Sequence, residues 1–409
     1  MWANKKQSSV SFADSSFGKG ASQCAIFSKG GLALRFLFTC GGTAGHIYPA
    51  IAVAGRIREL MPDAQILFVG ARGKMETELV PREGYEIQTV QITNLQRRLS
   101  LGGILHNLGT VKNLFVSMGE SKRILKEFKP DVALGTGGYV CFPVLYQAAK
   151  LGIPTAVHES NIVPGLTTKL LASRVDRVML GFEGAEKAYK RTAGVVYTGT
   201  PVRGAFLGLS REEARAELGI PLDKPLVVSF WGSLGASKMN TAMQELFRRN
   251  YEAQRFYQVH ATGGGDAGLN AMQTALTAKD VTAPLDRGID IRAYIYDMPK
   301  LMAAADLILC RAGASTLAEL TALGKPAVLV PSPYVTHNHQ EENAKALAQS
   351  GGAVMVREAD ATGETLYETV STCLADPGRL SAMGEAMRRM GNPDATEAIT
   401  KLILDIMKQ

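Results

Sequence analysis

Three stretches of this chain carry residues able to do chemistry. The first is Cys310-Arg311-Ala312-Gly313-Ala314-Ser315-Thr316-Leu317-Ala318-Glu319. It follows an apolar run, 305–309, that reads as a buried parallel strand, and it leads into a helical pattern closed by Gly324 and Pro326. Gly313 to Thr316 thus read as a turn opening a helix at the carboxyl end of a strand. A helix start offers unpaired N–H groups and a partial positive charge, which together make an anion site. Ligands of open α/β sheets collect at that edge. The structural alternative is that Thr316 and Glu319, at capping-box spacing, only start the helix. The second stretch, Cys40-Gly41-Gly42-Thr43-Ala44-Gly45-His46, also follows a strand. Its glycines let backbone N–H groups approach an anion closely, or make a tight turn with no ligand. His46 ends the loop, and an imidazole titrates near neutrality, at roughly 6.5, which suits a general base. The third stretch, His158-Glu159, is the rival base: the pair could orient a proton acceptor or satisfy buried polar groups.

The elements that must hold these residues alternate between strand and helix. Residues 34–39 read as a strand, 47–60 as a helix with Pro49 tolerated in its first turn, and 65–70 as the next strand. Further strands are expected at 131–135, 153–157 and 175–180. Gly199-Thr200-Pro201 breaks the pattern. A second series starts at 225–230, and its loop, Trp231-Gly232-Ser233-Leu234-Gly235-Ala236, echoes the first glycine loop. Strands at 256–260, 290–294, 307–309 and 327–330 continue it. This alternation predicts parallel sheets with right-handed crossovers. The fold expected is α/β, with two Rossmann-like halves joined near residues 200–224 and a cleft between them. Residues 395–407 form an amphipathic pattern expected to cross back to the first half.

At 409 residues, 46% apolar and 20% charged, the chain has the length and composition of a two-domain globular protein. Five scattered cysteines without metal-ligand spacing suggest buried thiols in a reducing compartment. The longest uncharged run, 132–149, is broken by glycines and Pro143 and does not read as a membrane span. Residues 1–33, rich in Ser, Gly and Lys, are expected to be a disordered extension, or to lie upstream of a start at Leu34. Net charge is +7. Between 95 and 128, Leu101, Ile104, Leu105, Leu108, Leu114 and Phe115 are fringed by Arg97, Arg98, Lys112, Lys122, Arg123, Lys126 and Lys129. That pattern suits a surface on an anionic membrane. It equally suits a core-facing helix with a solvated charged face, the commoner case.

Seven motifs, in order and at matching spacing, resemble the MurG family of UDP-N-acetylglucosamine:lipid I N-acetylglucosaminyltransferases. They are Gly41–His46, Gly137-Gly138-Tyr139, His158-Glu159-Ser160-Asn161, Gly199-Thr200-Pro201-Val202-Arg203, Gly232–Ala236, Arg311–Ala314 with Glu319, and His339-Gln340-Glu341-Glu342-Asn343-Ala344. Ser160 and Leu234 stand where the family usually has Gln, and Ala44 where Gly is common. The resemblance covers residues 34–409 and implies a GT-B fold: an acceptor domain over 34–203, a UDP-sugar domain over 204–391 and a returning helix over 392–409. It implies inverting transfer of N-acetylglucosamine to the C4 hydroxyl of lipid I, giving lipid II, on the cytoplasmic face of the bacterial cell membrane. Implied partners are the UDP-sugar, lipid I, the anionic inner-membrane surface, and cell-wall synthesis and division proteins. No nucleic acid and no cofactor are implied. Among residues, it implies that Arg203, Ser233 and the helix start at Ala314, Ser315, Thr316, Leu317 and Ala318 lie by the donor phosphates, Ile295 by uracil, Glu319 on the ribose, and Gln340 and Asn161 by the sugar. Thr43, Ala44 and Gly45 would meet the acceptor diphosphate. His46 is the preferred base, with His158 and Glu159 as the alternative; His337 and His339 would line the donor side or be exposed. The chain contains no Asp-x-Asp pair, so the leaving diphosphate is expected to be met by protein groups rather than a metal. A GT-B transferase with a diacylglycerol acceptor, or a non-catalytic nucleotide-sugar-binding subunit, are the competing readings.

Overall fold

The computed structural model describes residues 33–93, 101–190, 194–206, 208–232, 234–335 and 338–408. Their strands form two parallel sheets. The first contains β1 (Arg35–Thr39), β2 (Gln65–Ala71), β3 (Glu86–Val90), β4 (Val132–Gly135), β5 (Thr155–Glu159), β6 (Arg177–Leu180) and β7 (Val195–Tyr197), in the order β3-β2-β1-β4-β5-β6-β7. The second contains β8 (Leu226–Phe230), β9 (Tyr257–Ala261), β10 (Ile289–Arg292), β11 (Leu307–Cys310), β12 (Ala327–Leu329) and β13 (Ala353–Met355), in the order β10-β9-β8-β11-β12-β13. In each sheet the order reverses beside the first strand, and ligands of such sheets bind at that crevice. The helices of the first half are α1 (Ala44–Leu60), α2 (Glu76–Arg82), α3 (Leu101–Phe128), α4 (Cys141–Lys150) and α5 (Leu166–Leu171). Those that follow are α6 (Arg211–Leu218), α7 (Ser237–Ala253), α8 (Gly265–Thr277), α9 (Met298–Ala304), α10 (Ala314–Leu323), α11 (His339–Gln349), α12 (Gly363–Leu374), α13 (Pro377–Met390) and α14 (Ala395–Ile406).

Strand β1 shows why these layers form. Successive side chains alternate faces. Leu37 packs with α4 residues on one face, while Phe36 and Phe38 pack with α1 residues on the other. Both faces are buried, so the strand is apolar throughout. Strands β3, β7 and β13 are edge strands that the apolar runs did not predict; each is partly exposed, β7 and β13 are only three residues long, and β3 is of mixed polarity.

The chain crosses between the halves twice. The first crossing runs through Gly199–Arg203, the second through Gly391–Asp394. The two are tied together: Asn392 Nδ2 donates to Thr198 O at 2.8 Å. Beyond the second crossing, α14 buries Ile399, Ile403 and Ile406 in the first half's core beside Phe36, Ala50 and Ile57. A second lock sits where the linker enters the second half. The fully buried Arg215 guanidinium donates to the carbonyls of Ala304, Pro221 and Lys224 and pairs with Asp306, whose carboxylate also accepts from Leu226 N.

Candidate active site

Helix α10 begins at the carboxyl end of β11, with Gly313 as its N-cap and no side-chain cap. Thr316 is therefore the third helical residue and not a cap, so the capping-box reading does not apply. The first helical bond is Leu317 N to Gly313 O, at 3.0 Å. The N–H groups of Ala314, Ser315 and Thr316 have no acceptor among the described residues. They form the anion-attracting end expected of a helix start. Leu317 points into the core, and Ala318 faces the hinge beside Gly181 and Thr200. Neither side chain is aimed at the mouth of the cleft.

Helix α1 opens in the same way on the opposite wall. Its N-cap, Thr43, makes no side-chain cap bond. The amides of Thr43, Ala44 and Gly45 have no acceptor among the described residues. The expectation that the whole glycine loop offers N–H groups to an anion is narrowed: Gly41 N donates to Gly137 O (3.3 Å) and Gly42 N to Glu76 Oε2 (3.1 Å). Gly42 has φ +84°, which glycine adopts without strain.

The two helix starts meet. Ser315 Oγ donates to Gly45 O at 2.8 Å across the cleft. The helix runs back to Ala44, so Pro49 falls in its second turn rather than its first. Proline has no N–H and removes the bond its position would have given the carbonyl four residues earlier. That carbonyl belongs to Gly45, which is thereby left free to accept from the other half.

His46 is half-buried at this junction. Its Nδ1 lies 3.0 Å from Gly41 O, an acceptor only, so Nδ1 carries the proton and Nε2 the lone pair. Gly137, at φ +117°, lies against the ring: a Cβ there would sit 2.9 Å from Nε2. His158 is differently placed. It is 1% exposed, Nε2 donates to Gly199 O at 2.9 Å and Nδ1 lies 3.3 Å from Ser160 Oγ. Burial pushes its pKa down to about 4, so it is neutral and engaged at both nitrogens. Nor do His158 and Glu159 form a pair. They are consecutive in β5 and point to opposite faces. The Glu159 carboxylate instead accepts from Asn161 N, Asn161 Nδ2, Gly165 N and Thr168 Oγ1, at 2.8–3.1 Å, and shapes the 160–168 loop. That loop presents Asn161 to the other half, where Asn161 Oδ1 accepts from Asn343 Nδ2 (3.2 Å) and Asn343 Oδ1 accepts from Ile162 N (3.2 Å).

Arg203, in the first crossing, stacks on Tyr48 of α1, with its guanidinium carbon 4.1 Å from the ring centre. Its buried Nε has no hydrogen-bond partner among the described residues. Glu319 stands one turn inside α10. Burial raises its carboxyl to about 7, against a smaller opposing pull from Arg203. Ile295 has its side chain in the core, so only its backbone is available to a ligand, while the neighbouring Tyr296 is 90% exposed. Gln340 Oε1 accepts from Ser332 N at 2.9 Å, leaving its amide nitrogen free of any hydrogen bond within the described residues. His339 opens α11 and is partly buried. Ser233 and His337 lie outside the described residues. Tyr48, Glu76 and Asn343 belong to the site; Asn343 lies within the His339–Ala344 motif, while the sequence context of Tyr48 and Glu76 gives no sign of it. Only their partners, Arg203, Gly42 and Asn161, reveal what they do.

Residues 36–180 match the glycosyltransferase family 28 N-terminal domain, and residues 226–399 match the family 28 C-terminal domain. Two relatives carry the name UDP-N-acetylglucosamine--N-acetylmuramyl-(pentapeptide) pyrophosphoryl-undecaprenol N-acetylglucosamine transferase. One, from Acetivibrio thermocellus, is 45% identical over 92% of this chain and 99% of its own. The other, from Thermoanaerobacter sp., is 44% identical over 91% of this chain and 100% of its own. Among solved structures, MurG of Acinetobacter baumannii superposes with a TM-score of 0.69 at 27% identity, covering 91% of this chain and 99% of that one. The two domains in their order, the GT-B cleft between them and near-full-length identity with these transferases together establish that the chain belongs to glycosyltransferase family 28, in its MurG group.

Proposed function

We propose that the cleft transfers N-acetylglucosamine, with inversion, from UDP-N-acetylglucosamine to the C4 hydroxyl of an N-acetylmuramoyl-pentapeptide carried on a polyprenyl diphosphate. The observation that carries this reading is the meeting of two uncapped helix starts, at Ala44 and Ala314, joined by the Ser315–Gly45 bond. Such a reaction has two diphosphates to manage, one on the departing nucleotide and one on the lipid acceptor. Amides of Ala314, Ser315 and Thr316 would take the first, and those of Thr43, Ala44 and Gly45 the second. Preorganised N–H groups stabilise developing charge without reorganising during the reaction. Arg203, held flat on Tyr48, would add its charge at the donor phosphates. Glu319 would accept from the ribose hydroxyls, the Ile295 backbone would meet the uracil, and Gln340 and Asn161 the sugar. His46 Nε2, with its lone pair free, would take the proton of the attacking hydroxyl. The direct test is an assay with UDP-N-acetylglucosamine and a lipid I analogue in excess EDTA. Turnover is expected to persist. Complete loss on chelation, restored by Mg²⁺, would show that protein groups do not suffice for the leaving diphosphate. Failure in both conditions with UDP still bound would sink the acceptor assignment.

The acceptor's lipid tail requires a membrane, and the surface of the first half supports a peripheral site. Phe115 is 74% exposed on α3, and Leu166 and Leu170 are about half exposed on α5, both helices packing on α4. The same two helices carry Lys112, Lys122, Arg123, Lys126 and Lys169, all exposed. Leu114, by contrast, packs against the core, as do Ile124 and Leu125, so the amphipathic pattern serves both readings. Arg97 and Arg98, and the side chains of Leu101, Ile104, Leu105 and Leu108, lie outside what the structure describes. No helix among the described residues is long and apolar enough to cross a bilayer. Sedimentation with anionic vesicles is expected to fall as salt rises, because exposed charges are screened within about 8–10 Å. Phe115→Ser is expected to weaken it further. Equal sedimentation with neutral and anionic vesicles would count against this surface.

A further inference from the structure

The reaction as described leaves Glu76 without a task, yet the carboxylate has an unusual setting. Glu76 opens α2, and its side chain is 0% exposed. A buried carboxylate is costly unless its oxygens are satisfied. Its two oxygens serve two different loops: Oε1 accepts from Ala71 N at 2.9 Å, at the end of β2, and Oε2 accepts from Gly42 N at 3.1 Å, in the loop before His46. The room it occupies exists because two neighbours lack side chains. A Cβ on Gly41 would lie 2.3 Å from Oε1, and one on Gly70 would lie 2.5 Å from its Cγ. The Gly41 carbonyl is confined in turn by Gly138, where a Cβ would lie 2.3 Å from that oxygen, and it holds His46 Nδ1.

We infer that Glu76 is a positioning residue. By holding Gly42 N–H it fixes the loop so that the Gly41 carbonyl faces His46, which sets the imidazole in the tautomer with Nδ1 protonated and the lone pair on Nε2. The inference rests on the reading of His46 as the base. It also explains why Gly42 N–H is withheld from ligand binding: a carboxylate takes it from behind, and the amides left for an anion start at Thr43.

Glu76→Gln tests this. A glutamine offers one acceptor oxygen where two N–H groups must be met, and its NH₂ then opposes the other N–H. Turnover is expected to fall about 10- to 100-fold, the order that a misplacement near 1 Å costs, while UDP affinity stays unchanged because the donor half is untouched. The ¹⁵N signals of the His46 ring, assigned by their loss in His46→Ala, are expected to shift away from the Nδ1–H tautomer. A purely structural residue would not move that signature. The double variant Glu76→Gln with His46→Ala should be no slower than His46→Ala alone. Gly41→Ala presses on the same carboxylate from the loop side and should reproduce the result, so it carries the test if Glu76→Gln fails to fold. Unchanged turnover and unchanged His46 signals in either folded variant would overturn the positioning role. A shifted tautomer with His46→Ala still active would uphold the positioning and remove His46 as the base.

Discussion

His46→Ala is expected to lower kcat by about 10²- to 10⁴-fold, the usual worth of a general base, and to leave UDP affinity intact. In the proposed inverting transfer the attacking hydroxyl approaches the anomeric carbon opposite the departing UDP, so its base would belong to the acceptor wall. Of the two histidines first considered there, only His46 has a ring nitrogen available. His158 is buried between Gly199 O and Ser160 Oγ. Its pKa of about 4 also means that it stays neutral across the working range, so it contributes no titration there. His158→Gln should therefore leave kcat near its normal value, with its cost appearing in stability. Normal turnover in a folded His46→Ala enzyme would move the proton to another route and leave the loop with acceptor binding alone.

Glu319→Ala is expected to weaken UDP binding by about 10- to 150-fold, since hydrogen bonds to a charged partner are typically worth about 1.5–3 kcal/mol. Its titration supplies a second, independent readout. The free enzyme's carboxyl titrates at about 7, raised by burial. In the proposed donor complex, two ribose hydroxyls donating to it would favour the ionised form and pull that value down on binding. Affinity for UDP should therefore be complete above the free-enzyme value and decline as pH falls through it. The dependence belongs to kcat/KM for the donor, which reports the free enzyme, and should be absent from kcat, which reports the loaded one. Folding has the opposite sense. The native state holds this proton more tightly than the unfolded chain, so ionising Glu319 lowers stability as pH rises from the ordinary carboxylate range to about 7. Glu319→Gln should thus raise Tm at pH 8 while weakening UDP. Unchanged UDP affinity in the folded Ala variant would leave Glu319 with no part in donor recognition.

Much of this was legible in the sequence, for reasons visible in particular residues. Apolar runs such as 36–38 and 307–309 are buried on both faces, so the central strands announce themselves. Edge strands do not: Glu86–Val90 is polar at alternate positions and Val195–Tyr197 is largely exposed. Glycine spacing located both strand-to-helix turns, although α1 starts at Ala44 rather than at 47, but could not say which amides were already taken. That depended on Glu76 and Gly137, which lie far off in the chain. The His158–Glu159 pairing illustrates a local error of register. With β5 ending at Glu159 rather than at Val157, alternation alone separates the two side chains. Tyr48 shows its part only beside Arg203, and Asn343 of the 339–344 motif only beside Asn161, contacts over large sequence separations that no local pattern encodes.

The return of the last helix to the first sheet has a consequence for how the protein is made. The N-terminal core includes Ile399, Ile403 and Ile406, which are synthesised only after the whole second half. At about 5–20 residues per second, the ribosome adds the whole second half, some tens of seconds of work, between the Gly199–Arg203 crossing and α14. Throughout that time the apolar groove beside Ala50 and Ile57 is bare in the nascent chain. The core clusters of the second half contain no α14 residue, so that half can close while still tethered. The domain that begins first is therefore finished after the second, and until then it is the half exposed to chaperones and proteases.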